Sequence, residues 1–144
     1  MVKIDEFPDD ARTEYLNREM PKFEDTPLLP SPPLREQRIA LISTAGLHRR
    51  GDRQFTEQSG DFRVIPRDLP DEDIVMSHIS TNFDRLGFMQ DVDVAFPINR
   101  LKELAEEGVI GSVSEFHFSF MGATPPEQME PSIREMVQTM KADN

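Results

Sequence analysis

The chain is 144 residues long, enough for one domain that buries roughly 70% of the surface its unfolded form would expose. Its formal net charge of −11 repels phosphate backbones and disfavours nucleic-acid binding as a main role. With no cysteine, it can form no disulfide and no cysteine-based zinc site, and it supplies no thiol nucleophile.

No apolar run approaches the ~20 residues needed to cross a bilayer. The opening MVKIDEFPDD also lacks the apolar centre of a secretory signal, so a cytoplasmic address with no membrane partner is expected. Residues 1–36 differ in composition from the rest: six of the twelve prolines lie here, four of them within PLLPSPPLRE. Proline fixes φ and favours extended structure, so this region reads as a proline-rich arm ahead of a domain spanning 37–144. The arm carries one predicted helix, about Asp9 to Met20, with Tyr15, Leu16 and Met20 as anchors and Asp9 or Asp10 as cap.

From Arg38 the pattern changes. Arg38–Thr44 reads as a buried strand that passes into the small-residue turn Ser43-Thr44-Ala45-Gly46, and the turn delivers His48, Arg49, Arg50 and Asp52 in a loop. Phe62–Pro66 and Ile74–Ser77 are further strand candidates, the latter ending at His78. Asn82–Phe96, with Asp84, Asp91 and Asp93, reads as a loop whose end, Val92–Phe96, could be a short strand. Pro97–Gly108 is a helix: proline suits its first position, Ile98, Leu101, Leu104 and Ala105 form one apolar stripe, and Gly108 ends it.

Ser112–Met121 suits a strand with an aromatic face of Phe116, Phe118 and Phe120. Thr124 and Glu127 have capping-box spacing before a second helical stripe, Met129, Ile133, Met136, Val137 and Met140, which Pro131 interrupts or kinks. Strands alternating with helices predict an α/β layered fold with a mostly parallel, Rossmann-like sheet. The sequence stops straight after an amphipathic helix, where an alternating fold expects another strand, from a partner or a continuing polypeptide.

Loops at the carboxyl ends of strands in an open α/β sheet are where ligands bind. His48 and His78 both follow predicted strands, and His117 lies in the aromatic strand. One reading makes His48 and His78 proton-handling residues of a polar pocket and His117 a hydrogen-bonded structural residue. Another makes His48, His78 and His117 metal ligands, with Asp52, Asp84 or Asp91 completing the set, although no compact motif such as HExxH supports it. Arg49 or Arg50 could clamp a substrate carboxylate in bidentate fashion, or one of them belongs to a solvated loop. Asp52 either orients His48 or pairs with an arginine. No Walker A, G-x-G-x-x-G or G-x-S-x-G pattern occurs.

Five stretches, ALISTAGLHRRGD, GDFRVIPRDLP, VMSHIS, DVDVAFPINRLKELAEEGVIGSV and HFSFMGA, occur in order between Arg38 and Asn144. Together they resemble the selenoprotein B family of glycine, sarcosine and betaine reductases and the related selenoprotein subunit of D-proline reductase. The resemblance implies reductive cleavage of a C–N bond in a small amino acid or amine; from the residues themselves, His48 and His78 are expected as catalytic, proton-handling residues and Arg49, Asp52, Asp84 and Asp91 around the substrate. The resemblance also implies a selenocysteine or cysteine redox centre after the strand that follows the helix at 127–141, and this chain contains neither residue. A reductase partner subunit would then supply the nucleophile. A non-catalytic binding or assembly subunit, pairing its open sheet with a partner or a second copy, is the alternative.

Overall fold

The computed structural model describes residues 3–17, 30–81 and 83–143. The chain divides into two compact units, Met1–Ser31 and Pro32–Asn144.

In the first unit a 3₁₀ turn at Ile4–Glu6 precedes helix α1, Asp9–Leu16. The helix buries no residue: Tyr15 and Leu16, the expected anchors, are exposed, and Tyr15 packs only edge-on against Phe7 at 5.5 Å. Pro8 rather than an aspartate holds the cap position. Asp9 and Asp10 sit in the first turn instead, where carboxylates favour the helix dipole. Met20 and the prolines Pro21 and Pro27 lie outside the described residues.

In the second unit the expected strand Arg38–Thr44 forms as two short pieces, β1 (Arg38–Ile39) and β2 (Ile42–Ser43). The predicted loop after it contains a strand, β3 (Leu47–Arg49). β4 (Arg63–Pro66) and β5 (Ile74–Met76) follow close to their predicted places. The stretch expected to be a loop and short strand holds helix α2 (Leu86–Gln90) and a 3₁₀ turn at Val92–Val94. Its aspartates explain the turn. Asp91 Oδ1 accepts the Asp93 N–H at 2.9 Å and Asp93 Oδ1 accepts the Asn99 N–H at 2.9 Å, so side chains take backbone donors that a strand ladder would need. Asp93 thereby caps helix α3 (Ile98–Glu106).

The aromatic strand is also divided, into β6 (Ser112–Val113) and β7 (Phe116–Ser119), before helix α4 (Pro126–Ala142). α4 runs through Pro131. Pro125 occupies its cap position, while Thr124, the expected cap, is buried and donates its hydroxyl to the Ser59 carbonyl at 2.8 Å.

The class is mixed α/β, built on small sheets. β1 pairs with β6 and β2 with β7, both parallel, whereas β4 pairs with β7 and β3 with β5, both antiparallel. One irregularity organises the parallel layer. Ile39 faces Val113 and Ile42 faces Phe118, so three steps along one strand match five along the other. The surplus residues bulge at Ser114–Glu115, which divides both strands. The bulge would leave the Leu41 N–H without a carbonyl, and His117 Nδ1 accepts it at 2.9 Å.

Two apolar clusters flank this layer. Ile39, Leu41 and Val113 pack with Leu47, Phe96 and the α3 residues Ile98, Leu101 and Leu104. Phe118, Val64 and Phe120 pack with the α4 residues Met129, Met136, Val137 and Met140. Successive strand side chains point to opposite faces, so α3 and α4 cover opposite sides of the layer.

Candidate functional site

The turn that leaves β2 is built for close approach. Gly46 has φ of +67°, and a Cβ there would stand 3.1 Å from the His78 backbone, so both conformation and contact require glycine. Ser43 Oγ accepts the Ala45 N–H at 3.2 Å and braces the turn. Beside it opens a cavity of about 260 Å³, lined by Ser43, Thr44, Ala45, Phe83, Asp84, Phe88, Val94 and Ala95. The strand-end turn and the aspartate segment, far apart in sequence, therefore share one cavity. Phe83, Phe88, Val94 and Ala95 are wall residues that no sequence motif marked. Asp84 Oδ1 accepts the Leu86 N–H at 2.9 Å, which fixes its carboxylate at the start of α2.

His78 lies one ring behind this wall. It is buried, and its imidazole stacks on Phe83 with centroids 4.4 Å apart and an interplanar angle of 23°. Its Nδ1 accepts the Ser80 N–H at 3.2 Å. Burial, and then the Arg85 charge, lower its pKa and keep it neutral at pH 7. Arg85 is folded back and donates to the His78, Ser80 and Phe83 carbonyls, so it places no charge in the cavity.

His48, Arg49 and Asp52 do not line this cavity. His48 is 2% exposed on β3, opposite Val75. Its Nδ1 lies 3.0 Å from the Arg49 carbonyl and must donate, because a carbonyl only accepts; Nε2 is buried without a partner among the described residues. Arg49 pairs with Asp52 at 3.2 Å and Arg50 with Asp73 at 3.4 Å, so each arginine of the motif meets an acid of this chain. Asp91 lines a second cavity, of about 360 Å³, with Asp71, Glu72 and Gln90; Phe88 belongs to both walls.

His117 is fully buried beside the edge of Phe96, with Nδ1 committed to Leu41. The proton therefore sits on Nε2, which is buried without a partner among the described residues. Burial first, then the charges of Lys102 and Arg67, lower its pKa to about 4. Among the described residues no group of three or more His, Asp or Glu side chains gathers as metal ligands, so the three-histidine alternative finds no geometry. Each histidine serves a different part of the fold.

A polar cluster that the sequence reading missed surrounds Phe55. Arg63 is buried, with its guanidinium 4.5 Å from the Phe55 ring centre. It donates to Asp61 at 2.8 Å and to the Arg53 and Phe62 carbonyls, while Nη2 has no partner among the described residues. Burial pushes the Asp61 carboxyl up, but Arg63 and Arg53 outweigh it and the net pKa is lowered. The sequence signal was Asp-x-Arg entering a strand.

Residues 5–144 match the family described as glycine/sarcosine/betaine reductase selenoprotein B. The chain belongs to that family. It is 35% identical over 91 residues to the D-proline reductase subunit gamma of Acetoanaerobium sticklandii, covering 62% of this chain and 36% of that one. It is 26% identical over 137 residues to the glycine reductase complex component B subunit gamma of Symbiobacterium thermophilum, covering 90% of this chain and 31% of that one. The chain thus spans about a third of the length of these curated relatives. No solved structure matches it. Among the described residues no helix is long and apolar enough to cross a membrane.

Proposed function

We propose that this chain is the pocket-forming part of a reductase that cleaves a C–N bond in a small amino acid or amine of the glycine, sarcosine, betaine or D-proline type. The observation that carries the reading is the cavity at the carboxyl end of a parallel strand, lined by the Ser43–Ala45 turn and Asp84, in a chain whose family match runs from residue 5 to 144. In this reading Asp84 faces the substrate amine, and Arg49 exchanges its exposed Asp52 partner for the substrate carboxylate at little cost. His48 and His78 handle protons, a task typically contributing about 10²–10⁴-fold. Asp91, in the neighbouring cavity, adds negative potential toward a cationic amine.

The reaction replaces a C–N bond with C–H and needs two electrons, delivered by a dithiol that ends as a disulfide. This chain has no cysteine for that exchange, so the selenol or thiol that attacks carbon comes from a reductase partner subunit. Residues 1–36 act as an arm on that assembly, and the parallel pairings of 37–144 belong to a Rossmann-like layered sheet completed with the partner. The test is to incubate the isolated chain with a dithiol and glycine, sarcosine, betaine or D-proline, and to follow amine release or ring opening. No turnover is expected, while chemical shifts of Thr44, Ala45 and Asp84 move on adding substrate. Turnover by the isolated chain would refute the missing-nucleophile reading.

A second reading, a non-catalytic assembly subunit, is favoured by one observation: among the described residues β1 and β2 have pairing partners on one side only. Unmoved Thr44, Ala45 and Asp84 shifts at saturating substrate would favour this reading.

A further inference from the structure

The free side of the Arg38–Ser43 strand has an address built into it. Its inward groups are bonded: the carbonyls of Ile39, Leu41 and Ser43 accept from Ser114, Phe118 and Phe120. Backbone groups alternate along a strand, so those of Arg38, Ala40 and Ile42 face the other way, and they have no ladder partner among the described residues. The side chains tell the same story. Phe118, paired with Ile42, is 1% exposed beneath α4, whereas Ile42 is 51% exposed. α4 covers the β7 and β4 columns of this face and leaves the β2 column open. The edge carries no proline, lysine or bulge of its own to repel a strand.

Handedness and position say what covers it. The chain crosses from β2 to β7 through α3 on one face. Crossovers between parallel strands are right-handed, so the place a strand following α4 takes in such a fold is beyond β2, and a strand from another polypeptide that completes the fold takes the same place. β4 already fills the far side of β7. α4 also ends at the right point: Asp143, just beyond it, accepts from Arg38 at 2.9 Å and from the Glu115 N–H at 3.1 Å, at the start of the free edge. A strand entering there runs parallel to β1 and β2 and finishes beside Ser43–Ala45, at the mouth of the cavity.

We infer that the Arg38–Ser43 edge receives a parallel β-strand from the companion polypeptide, one resembling the part of the longer relatives outside the stretch they share with this chain. The carboxyl end of that strand completes the cavity wall. This rests on the reading that another polypeptide supplies the reactive group, and it specifies where that group arrives.

The probe is a peptide from the Symbiobacterium thermophilum subunit, taken from just beyond its matched stretch, added to the full chain and followed by amide hydrogen exchange. Exchange at Ala40 and Ile42 should slow at least ~10-fold on opening of a newly bonded edge, while Ile39 and Ser43, bonded already, change little. Ala40→Pro removes an outward N–H, which an edge strand tolerates, and should abolish the protection with unchanged circular dichroism. Ile42→Lys does the same through charge if the proline variant fails to fold. Protection at the β4 or β3–β5 edges, or no protection anywhere, overturns the inference. So does a dimer of the chain alone with Ala40 and Ile42 already protected, since a second copy then owns the edge. Edge protection without amine release in the dithiol assay of the mixture removes the reductase reading and keeps this inference; amine release without edge protection does the reverse.

Discussion

The parallel layer of β1–β2 with β6–β7 and the antiparallel ribbon of β3 with β5 hold the chain's two most site-like regions, and they are built on opposite plans. The ribbon carries the conspicuous chemistry, His48, Arg49, Arg50 and Asp52, yet its charges answer one another at the surface and its histidine is buried. The layer carries inconspicuous chemistry, a turn of small residues, yet it opens a cavity against Asp84 and two phenylalanines. Chemically striking residues mark where charge sits. A binding site needs space as well, and space here comes from small side chains at a strand end.

Four measurements test that contrast. The largest effect is expected at His117, which holds the layer together. His117→Ala removes a fully buried ring and orphans the Leu41 N–H, which should cost about 3–4 kcal/mol in chemical denaturation. A loss under about 1 kcal/mol would mean that the bulge relaxes without it.

The same residue gives the layer a pH signature. Its folded pKa of about 4 lies below the 6.5 of an ordinary histidine, so the unfolded chain binds the extra proton first. Stability is then complete above pH 6.5 and falls as pH drops toward about 4, by of order 3 kcal/mol. Asp143 adds a loss at lower pH: the Ser114 hydroxyl holds its carboxyl below the usual value, so its contribution is present above that value and disappears as acid protonates it. In His117→Gln the slope between pH 6.5 and 4 should flatten; an unchanged slope moves the titration to another group.

Arg63 and Asp52 sharpen the difference between interior and rim. Arg63→Ala removes a buried guanidinium from the Phe55 face and leaves Asp61 Oδ2 with Arg53 alone, with an expected loss of about 2–3 kcal/mol. Asp52→Ala breaks only an exposed pair and should cost under about 0.5 kcal/mol. Comparable losses at both would erase the distinction between buried cluster and surface turn.

The last measurement decides where ligand sits. Val94 is exposed at the cavity rim, so Val94→Phe can fill the space without a folding penalty. It should weaken substrate binding about 10-fold, or about 1.4 kcal/mol, measured by calorimetric titration. A loss with Arg49→Ala and none with Val94→Phe would move the site to the ribbon.

Much of the layer was legible from local pattern. The apolar run at Ile39–Ile42, the stripe Ile98, Leu101, Leu104, and the alternation Phe116, Phe118, Phe120 each name an element by its own period. β3 was not legible, because Leu47-His48-Arg49 is short and polar and becomes a strand only when β5 arrives to pair with it. Val92–Val94 misled in the other direction: its residues suit a strand, but the aspartates at 91 and 93 spend the backbone donors locally. The site divided likewise. The strand-end reading singled out His48, Arg49 and Asp52, which do not line the cavity; Thr44, Ala45 and Asp84 do, and Phe83 and Phe88 carry no motif and enter it only through packing.

By itself the sequence determined the mixed α/β character, the family and the absence of a sulfur or selenium nucleophile, because residue type and short-range period are properties of the chain alone. Only the tertiary structure decided that His117 bridges a two-residue bulge, that Arg49 and Arg50 spend their charge on neighbouring acids, and that the outer side of β1 and β2 has no ladder partner among the described residues. Those facts depend on partners tens of residues away, and a hydrogen bond or ion pair is set by distance in space, which spacing along the chain does not encode.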